Sequence, residues 1–279
     1  MQHHEHIANH APQVVRALLD FIPAPRLPRR RRRPDFSTWG ISKESADFLA
    51  QAPNAFLLGA IFDRMIPAPK AWEAPRLLAE RLGHLDVHRI AGMSMRSLGK
   101  VVGRHSGQPA LHRFPNETAD SIVSACRRLV SKYDGDASNV WSPDPGAGEV
   151  IRRLEAFRGI SHKIATMTTR LLMTYYGVKL TRPDEVDVAV DRHVARVFLR
   201  TGLVQAAGTR KEYRASSLRD EILSVSRTLC SDFPAALDEP AYVIGRHWCT
   251  AEEAYCNDPK EPCPLRDVCP KTRRTWQVQ

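Results

Sequence analysis

Four cysteines lie close together near the C-terminal end of the chain. Cys249, Cys256, Cys263 and Cys269 are separated by six, six and five residues, and the whole chain contains six cysteines. Thiolates at such close spacing can share one metal centre. Structural zinc usually takes pairs of cysteines about two to four residues apart, and this segment has no such pair. Longer, uneven spacers favour a cuboidal iron–sulfur cluster, [4Fe-4S], in which each iron takes one thiolate, with zinc as the alternative.

Disulfide bonding is the other use that four neighbouring cysteines suggest. The N-terminus lacks a secretory pattern, and the two remaining cysteines, Cys126 and Cys230, lie within apolar helical patterns. Disulfides belong mainly to the oxidising compartments that secreted proteins reach through a signal peptide. We therefore favour a metal centre and expect the protein to reside in a reducing compartment.

The chain is strongly basic. Lys plus Arg number 41 against 31 for Asp plus Glu, which gives a formal net charge of +10. Such a balance favours a polyanionic partner, and we prefer nucleic acid to an anionic membrane surface. The longest apolar runs, such as residues 55–62, fall far short of the roughly 20 residues needed to span a bilayer. We expect a cytoplasmic, nucleoid-associated protein without a membrane partner.

Over most of the chain beyond residue 36, apolar residues recur at spacings of three and four residues, which predicts an all-α protein. The predicted helices span residues 7–22, 43–51, 53–65, 70–83, 94–104, 116–133, 147–157, 161–176, 190–201, 217–231 and 234–247. Between the first two of these helices, residues 29–33 are five consecutive arginines. Proline and like-charge repulsion predict a mobile basic linker there, which is either a solvated tail or an arm that contacts phosphates.

Residues 154–165 have the pattern of a helix, a tight turn and a second helix. Gly159 permits a positive φ and a close backbone approach, and Ser161 can cap the second helix. The amides at the start of that helix, together with its dipole, would form an anion site suited to a DNA phosphate. A plain helical hairpin without a ligand is the alternative. Further along the chain, Asp191 can begin a helix as its cap, or present a carboxylate to a cleft.

Three segments, taken in order, resemble the helix-hairpin-helix DNA glycosylases of the endonuclease III type, which carry an iron–sulfur cluster. They are residues 157–163 (Phe-Arg-Gly-Ile-Ser-His-Lys), residues 190–197 (Val-Asp-Arg-His-Val-Ala-Arg-Val) and residues 245–249 (Gly-Arg-His-Trp-Cys), which lead into the four cysteines. The resemblance extends from about residue 53 to residue 269. It implies a two-domain all-α fold with a cluster loop near the C-terminal end.

The resemblance also assigns roles to individual residues. In that family the lysine after the hairpin turn attacks the sugar, and the aspartate of the second motif is essential; the matching residues are Lys163 and Asp191. The hairpin match implies phosphate contacts from Arg158, Gly159, Ile160, Ser161 and His162. The cluster ligands of the family match Cys249, Cys256, Cys263 and Cys269. We expect the active site in a cleft between the two domains.

Several residues depart from the family pattern. Arg158 and Ser161 stand where the hairpin usually has proline and a second glycine, and the second gap between cysteines is six residues where the family usually has two. Met65 stands where the family often has a glutamine that fills the gap left by a flipped base. The arginine-rich N-terminal extension has no counterpart in short family members. Core packing is favoured over base stacking for Trp39, Met65, Trp72, His112 and Trp141.

We predict a basic arm over residues 1–35, a helical bundle with the hairpin over residues 55–184, and a second helical domain from residues 36–54 and 185–279 with the cluster loop. The predicted activity is removal of a damaged base, first an oxidised pyrimidine, from double-stranded DNA by a monomer. Lys163 would also cleave the abasic site through a Schiff base. The alternatives are a glycosylase that uses water activated by Asp191, a non-catalytic DNA-binding protein, and a zinc-stabilised structural protein.

Overall fold

The structure, a computed structural model, describes residues 9–22, 39–205, 212–252, 254–271 and 275–279. Helices dominate these residues, which confirms the all-α prediction. The α-helices are α1 (Ala11–Phe21), α2 (Lys43–Gln51), α3 (Pro53–Phe62), α4 (Ala68–Leu82), α5 (Val87–Ala91), α6 (Met95–Val102), α7 (Pro115–Lys132), α8 (Ala147–Glu155), α9 (His162–Thr174), α10 (Arg192–Thr201), α11 (Ala215–Leu229) and α12 (Asp238–His247). Strand β1 (Glu212–Tyr213) pairs in parallel with β2 (Gln277–Val278).

Short 3₁₀ helices complete the described elements, at Ala137–Trp141, Pro183–Glu185 and Pro234–Leu237. The last of these replaces the first turn of the helix predicted over residues 234–247, so that α12 begins only at Asp238. The helix predicted over residues 53–65 also ends early, at Phe62. Its end coincides with a tight turn, in which the amide of Arg64 donates to the carbonyl of Phe62 at 2.7 Å.

The chain divides into two compact units. One consists of Met1–Arg26 with Arg182–Gln279, and the other of Leu27–Thr181, in each case over the described residues only. The prediction assigned residues 36–54 to the C-terminal domain, whereas the described part of this segment, residues 39–54, belongs to the unit with the hairpin. The reason is the packing of α2, whose Leu49 is fully buried in the same apolar core as α3 and α4.

The unit with the hairpin is built around α3. Every residue of α3 from Ala55 to Phe62 is buried, so this helix is apolar on all sides and lies inside the unit. Phe56 has a central position, since its ring packs against Trp72, Trp141 and Tyr176 with centroids 4.6 to 6.3 Å apart. Helices α4, α7 and α2 surround α3. This core holds the ends of α7, α8 and α9 in fixed positions.

The other unit has its own apolar core, formed by α1, α10, α11, α12 and the cysteine-containing C-terminal segment. Helix α1 belongs to this core because Ala11, Val14 and Leu18 are fully buried. His10 adds a polar tie through a 2.7 Å hydrogen bond between its Nε2 and the carbonyl oxygen of Thr201. The N-terminal residues 9–22 are therefore part of a folded unit. The five arginines at residues 29–33 lie outside the described residues.

None of the described helices combines the length and the apolar composition that crossing a bilayer would require.

Candidate functional site

The predicted hairpin is present as α8, a turn over residues 156–161, and α9. Gly159 has a φ of +91°, a conformation that residues with a side chain rarely adopt. A Cβ at this position would also lie only 2.9 Å from Oγ of Ser121 on α7. Both the backbone conformation and the close approach to α7 therefore require glycine. Phe157 is buried beneath the turn and stacks on Tyr133 with ring centroids 5.9 Å apart.

Backbone amides on the outer side of the hairpin turn are available to a ligand. Ser161 is the N-cap of α9, and its hydroxyl oxygen accepts from the amide of Ile164 at 3.4 Å. Within the described residues, the amides of Gly159, Ser161, His162 and Lys163 donate to no acceptor. Free amides at the start of a helix, aligned with its dipole, can bind a phosphate.

The side chains around the turn have different environments. Arg158 forms a 2.6 Å ion pair with Asp120 on α7, although two thirds of the Arg158 side chain is exposed. His162 is half-exposed, and its Nδ1 lies 2.7 Å from a carboxylate oxygen of Glu155. Ile160 is buried and its amide donates to the carbonyl of Phe157. Of the five residues predicted to contact a phosphate, Ile160 thus has a buried side chain and an amide that already donates a hydrogen bond within the unit, so neither is available to a phosphate.

Lys163 lies in the first turn of α9, two residues after the cap, and its side chain is exposed to solvent. The next residues, Ile164 and Ala165, are buried and fix the orientation of the helix against the core. The amine is consequently carried by a rigid element next to the free amides.

Asp191 belongs to the other unit and caps α10. Its Oδ1 accepts two hydrogen bonds, from the amide of His193 at 2.8 Å and from the amide of Val194 at 2.9 Å. The capping role predicted from the sequence is therefore present. Because Oδ1 accepts both bonds, capping leaves Oδ2 without a hydrogen bond to the described residues. A carboxylate can cap a helix with one oxygen and act on a substrate with the other.

His193 and Arg196 reinforce the start of α10. Nη2 of Arg196 donates to the carbonyl of Gly245 at 2.7 Å and to Nδ1 of His193 at 3.1 Å. Nδ1 of His193 also lies 3.4 Å from the carbonyl oxygen of Gly245, so this ring nitrogen has both a donor and an acceptor beside it. Burial lowers the pKa of His193. A Cβ on Gly245 would lie 2.5 Å from the carbonyl oxygen of His193, so the absence of a side chain lets α12 approach α10.

The four cysteines of the C-terminal segment come together. Cys249, Cys256, Cys263 and Cys269 all line one cavity. Apolar side chains of α10, α12 and the cysteine loop form the rest of its wall, including Val197, Ile244, Trp248 and Leu265. Trp248 also anchors the loop, because its Nε1 donates to the carbonyl of Glu261 at 2.7 Å.

Two buried arginines of α10 lie beside these cysteines. Arg196 and Arg200 are 1% and 2% exposed, and neither forms a salt bridge with a carboxylate of the described residues. Nη1 of Arg200 lies 3.5 Å from Sγ of Cys249, and Nε of Arg196 donates to the carbonyl of Cys249 at 2.5 Å. Nη1 of Arg196 is buried without a hydrogen-bond partner within the described residues. Buried cations require nearby negative charge, and thiolates would supply it.

The thiols need such compensation. Burial raises the pKa of Cys263 to about 12 and also raises the pKa of Cys249 and Cys269. At Cys249 the guanidinium groups of Arg200 and Arg196 act in the opposite direction and lower the pKa. Without a positive partner, these sulfurs would remain neutral thiols.

Four cysteines are a donor set that either a single ion or a polynuclear cluster can take. Within the described residues, no three His, Cys, Asp or Glu side chains are grouped closely enough to hold one metal ion. A zinc ion would need four sulfurs about 2.3 Å from a single point. A cubane takes one thiolate per iron and therefore accommodates ligands that surround a larger space.

Sequence reasoning missed Arg196 and Arg200 as functional residues. A signal was present, because these two cations are one turn apart on a helix whose neighbouring residues Val197, Phe198 and Leu199 are apolar. An amphipathic surface helix would place charge on one face and apolar residues on the other. Charges within an apolar helix indicate a buried cation and hence a buried anionic partner.

The candidate base-stacking residues separate into two groups. Trp72, Trp141 and His112 are buried in the core of the hairpin unit, and Trp39 is half-buried with its ring 4.8 Å from that of Trp72. Core packing is therefore the role of these four residues. Met65 differs from them, since 69% of its surface is exposed.

An all-α chain with this hairpin and a four-cysteine segment after it has the fold of the helix-hairpin-helix DNA glycosylases, and comparison with solved structures confirms that fold. A structure of a non-covalent endonuclease III–DNA complex matches with a TM-score of 0.56 and 16% identity over 93% of this chain and 92% of that one. A trapped endonuclease III–DNA covalent intermediate matches with 0.55 and 17% identity over 94% and 96%. A thermostable thymine-DNA glycosylase matches with 0.58 and 12% identity over the same shares.

Sequence comparison finds a more limited likeness. Endonuclease III of Haemophilus influenzae is 25% identical over 154 residues, which cover 55% of this chain and 57% of the relative. The match thus spans little more than half the length of that curated protein. No family model matches the chain.

Proposed function

We propose that this protein is a DNA glycosylase of base-excision repair, which removes a damaged base and then cleaves the abasic strand through Lys163. An oxidised pyrimidine is the first substrate to consider, because a lysine at this position resembles that branch of the family. The observation that carries the proposal is the exposed amine of Lys163, two residues beyond the cap of a hairpin with free amides. The likeness to endonuclease III and the net charge of +10 support it.

The partner would be double-stranded DNA that contains a lesion, bound by a monomer. The free amides of Gly159, Ser161, His162 and Lys163 would hold one phosphate and so place the damaged nucleotide. A base within the duplex is out of reach, so the enzyme must rotate it into a pocket, which costs a few kcal/mol. A fixed phosphate provides the anchor for that rotation.

Lys163 would act as the nucleophile. Its neutral amine attacks C1′ of the deoxyribose, and the bond from C1′ to the base breaks, with its electron pair leaving on the base, which takes up a proton. The nitrogen then loses a proton while the bond between C1′ and the ring oxygen opens, and a Schiff base results. Removal of a proton from C2′ expels the 3′ phosphate and breaks the strand.

Asp191 would stabilise the positive charge that builds up on the sugar as the glycosidic bond breaks. The capping arrangement supports this role, since both amide hydrogen bonds go to Oδ1 and fix the direction of the carboxylate. In the alternative mechanism the same carboxylate activates a water molecule, and the strand stays intact after the base is released.

Cys249, Cys256, Cys263 and Cys269 would hold a [4Fe-4S] cluster, with zinc as the alternative. The cavity that they share and the two buried arginines beside it support this assignment. When bound, the cluster would supply four metal–thiolate bonds that fix the loop and no redox step of the base-excision reaction. The basic residues of this segment are candidates for phosphate contacts: Lys260, Arg266, Lys271, Arg273 and Arg274, of which Arg273 and Arg274 lie outside the described residues.

Reduction of the Schiff base tests the proposal directly. Incubation of the protein and duplex DNA containing an abasic site with borohydride should yield a covalent adduct. Lys163→Ala should abolish the adduct, whereas Lys132→Ala, an exposed lysine at the end of α7, should leave it unchanged. Base release should then be assayed on oligonucleotides that carry single lesions.

Three results would replace the proposal. Base release with an intact strand and no adduct would identify a glycosylase without lyase activity. Binding to abasic DNA without adduct or base release would identify a non-catalytic DNA-binding protein. An adduct that persists in Lys163→Ala would show that another amine is the nucleophile.

A further inference from the structure

A single buried histidine connects two exposed turns of the hairpin unit. His112 is 1% exposed. Its Nε2 lies 2.8 Å from the carbonyl oxygen of Arg64, in the turn after α3. On the other side of the ring, Nδ1 lies 3.1 Å from the amide nitrogen of Phe114 and 2.8 Å from Oγ1 of Thr118. The imidazole therefore joins the turn at residues 63–66 to the turn that precedes α7.

These partners define the protonation state of the ring. The carbonyl of Arg64 can only accept, so Nε2 of His112 carries the proton; the amide of Phe114 can only donate, so Nδ1 carries the lone pair. Only the neutral imidazole satisfies both turns. The charged groups that act on the ring are Arg64 and Lys70, and both oppose its protonation, as does burial; the pKa of His112 is accordingly lowered.

The first turn presents an unusual residue. Met65 has a φ of +58°, in the left-handed region that a residue with a side chain seldom occupies. Its side chain is nevertheless 69% exposed, so burial of apolar surface does not offset the strain. Backbone strain at a residue whose packing does not explain it is a frequent feature of functional sites.

The second turn presents a charged and aromatic pair. The guanidinium of Arg113 lies over the ring of Phe114, 4.8 Å from its centroid. Arg113 is exposed and Phe114 is half-buried. An aromatic ring with an adjacent arginine can stack on a base while the cation meets the phosphate backbone.

The Met65 turn also lies beside the hairpin. Nη1 of Arg64 is 3.8 Å from the position that a Cβ on Gly159 would take. Thus the turn with Met65, the turn with Phe114 and the free amides of the hairpin occupy one region of the same unit. DNA held by the hairpin would meet both turns.

We propose that His112 is a positioning residue, which holds the two turns together so that the side chains of Met65 and Phe114 enter the duplex at the damaged site. Apolar side chains inserted between bases unstack them and can occupy the space that a flipped base leaves. The inference rests on the proposed function, because it needs DNA on the hairpin. It adds a residue that does not itself touch the DNA.

A duplex containing a tetrahydrofuran abasic analogue opposite 2-aminopurine tests this inference, since it has no base to excise and no aldehyde to trap. Two quantities are measured: the ratio of Kd for undamaged duplex to Kd for the analogue duplex, and the fluorescence of 2-aminopurine on binding. The variants are His112→Leu, Met65→Ala and both together. The matched control is Asn54→Ala, which releases a different turn, since Asn54 bonds the carbonyl of Gly135 and the amide of Ala137.

We expect His112→Leu to lower the preference for the analogue by on the order of tenfold and to remove most of the fluorescence change, with little effect on undamaged duplex. Met65→Ala should have a similar effect, and His112→Leu should add little to it. Asn54→Ala should keep the wild-type ratio of Kd values and the wild-type change in 2-aminopurine fluorescence. If His112→Leu does not fold, His112→Gln, which keeps one donor and one acceptor, should give an intermediate loss.

The inference would be wrong if His112→Leu kept the wild-type preference for the analogue duplex and the wild-type fluorescence change. It would also be wrong if Asn54→Ala lost as much of both quantities as His112→Leu, or if the losses of His112→Leu and Met65→Ala were fully additive in the double variant. A wild-type protein that does not prefer the analogue duplex would instead contradict the proposed function. The two failures are therefore distinguishable.

Discussion

Nη1 of Arg200 lies 3.5 Å from Sγ of Cys249, in a part of the molecule where both side chains are largely removed from water. The same guanidinium donates to the carbonyl oxygens of Thr250 and Trp276, each at 2.7 Å. A single cation thus ties α10 to the first cysteine, to the loop that follows it and to the end of the chain. Anionic sulfurs nearby would compensate the charge of this buried guanidinium.

We expect Arg200→Met to weaken iron retention by about 10- to 100-fold, the range found when a residue that supports a metal ligand is replaced. Iron content and the visible absorption of the purified protein are the measurements. Arg219→Met, an exposed arginine of α11, should retain the iron of the wild type. A colourless wild-type protein with stoichiometric zinc would contradict the cluster itself.

Substitutions that keep the cap can separate the two roles of Asp191. Asn and Ser cap helices about as well as Asp but carry no charge. Asp191→Asn and Asp191→Ser should therefore keep thermal stability yet lower base release by about 100- to 1,000-fold. Asp191→Ala should in addition lose about 1 kcal/mol of stability. If base release fell only in the variants that lose thermal stability, Asp191 would have no role beyond capping α10.

Gly159→Ala should destabilise the hairpin by about 1–3 kcal/mol, because it combines a positive φ with a close approach to Oγ of Ser121. Urea unfolding measures the loss. In Gly159→Ala/Ser121→Ala the hydroxyl is absent, so part of the loss should be recovered, and the remainder reports the backbone strain together with the 3.2 Å approach to Cβ of residue 121. No recovery at all would show that the close approach is relieved by other movements.

The pKa of His112 also predicts a pH dependence of stability. The folded protein holds this pKa below its ordinary value of 6.5, so the unfolded chain takes up a proton first as the pH falls. The stabilisation is present above the unfolded pKa and is lost as the pH falls through the lowered folded pKa. Urea unfolding between about pH 5 and 8 should show a steeper loss for the wild type than for His112→Leu. Equal slopes would contradict the burial of a neutral imidazole.

Replacement of the five arginines at residues 29–33 by serine should weaken DNA binding and reduce its salt dependence, by about 0.9 in slope for each phosphate that the arginines neutralise in the wild type. The base that is removed should not change. Deletion of residues 1–34 is not an equivalent experiment, because it would remove α1 and the buried Leu18 from the core of a folded unit. An unchanged salt slope would leave the arginines without an electrostatic role.

Periodicity alone predicted most of the helices. The bounds of α2 agree with the prediction, and several others differ by one or two residues. Helix α5 was missed because its five residues, capped by Asp86, are too short to show a period. The end of α3 was placed too late because a tight turn depends on the carbonyl of Arg64 and its long-range partner His112, which local sequence cannot show.

The same distinction applies to the candidate site. The cap at Asp191 follows from a local rule and was expected. The apolar neighbours of Arg196 and Arg200 indicate burial, but their partners lie in the cysteine loop, about 50 residues further along the chain, and only the tertiary structure identifies them. The membership of α2 in the hairpin unit likewise depends on packing with α4, which no local pattern encodes.

Helix α10 connects the carboxylate of Asp191 with the cysteine-containing segment of its unit. It begins at the carboxylate of Asp191 and carries Arg196 and Arg200 along its length to the sulfur of Cys249. Ten helical residues form a stiff rod of about 15 Å. The sulfur end and the carboxylate end therefore cannot shift independently, and damage to the loop would be transmitted along this rod to the carboxylate of Asp191.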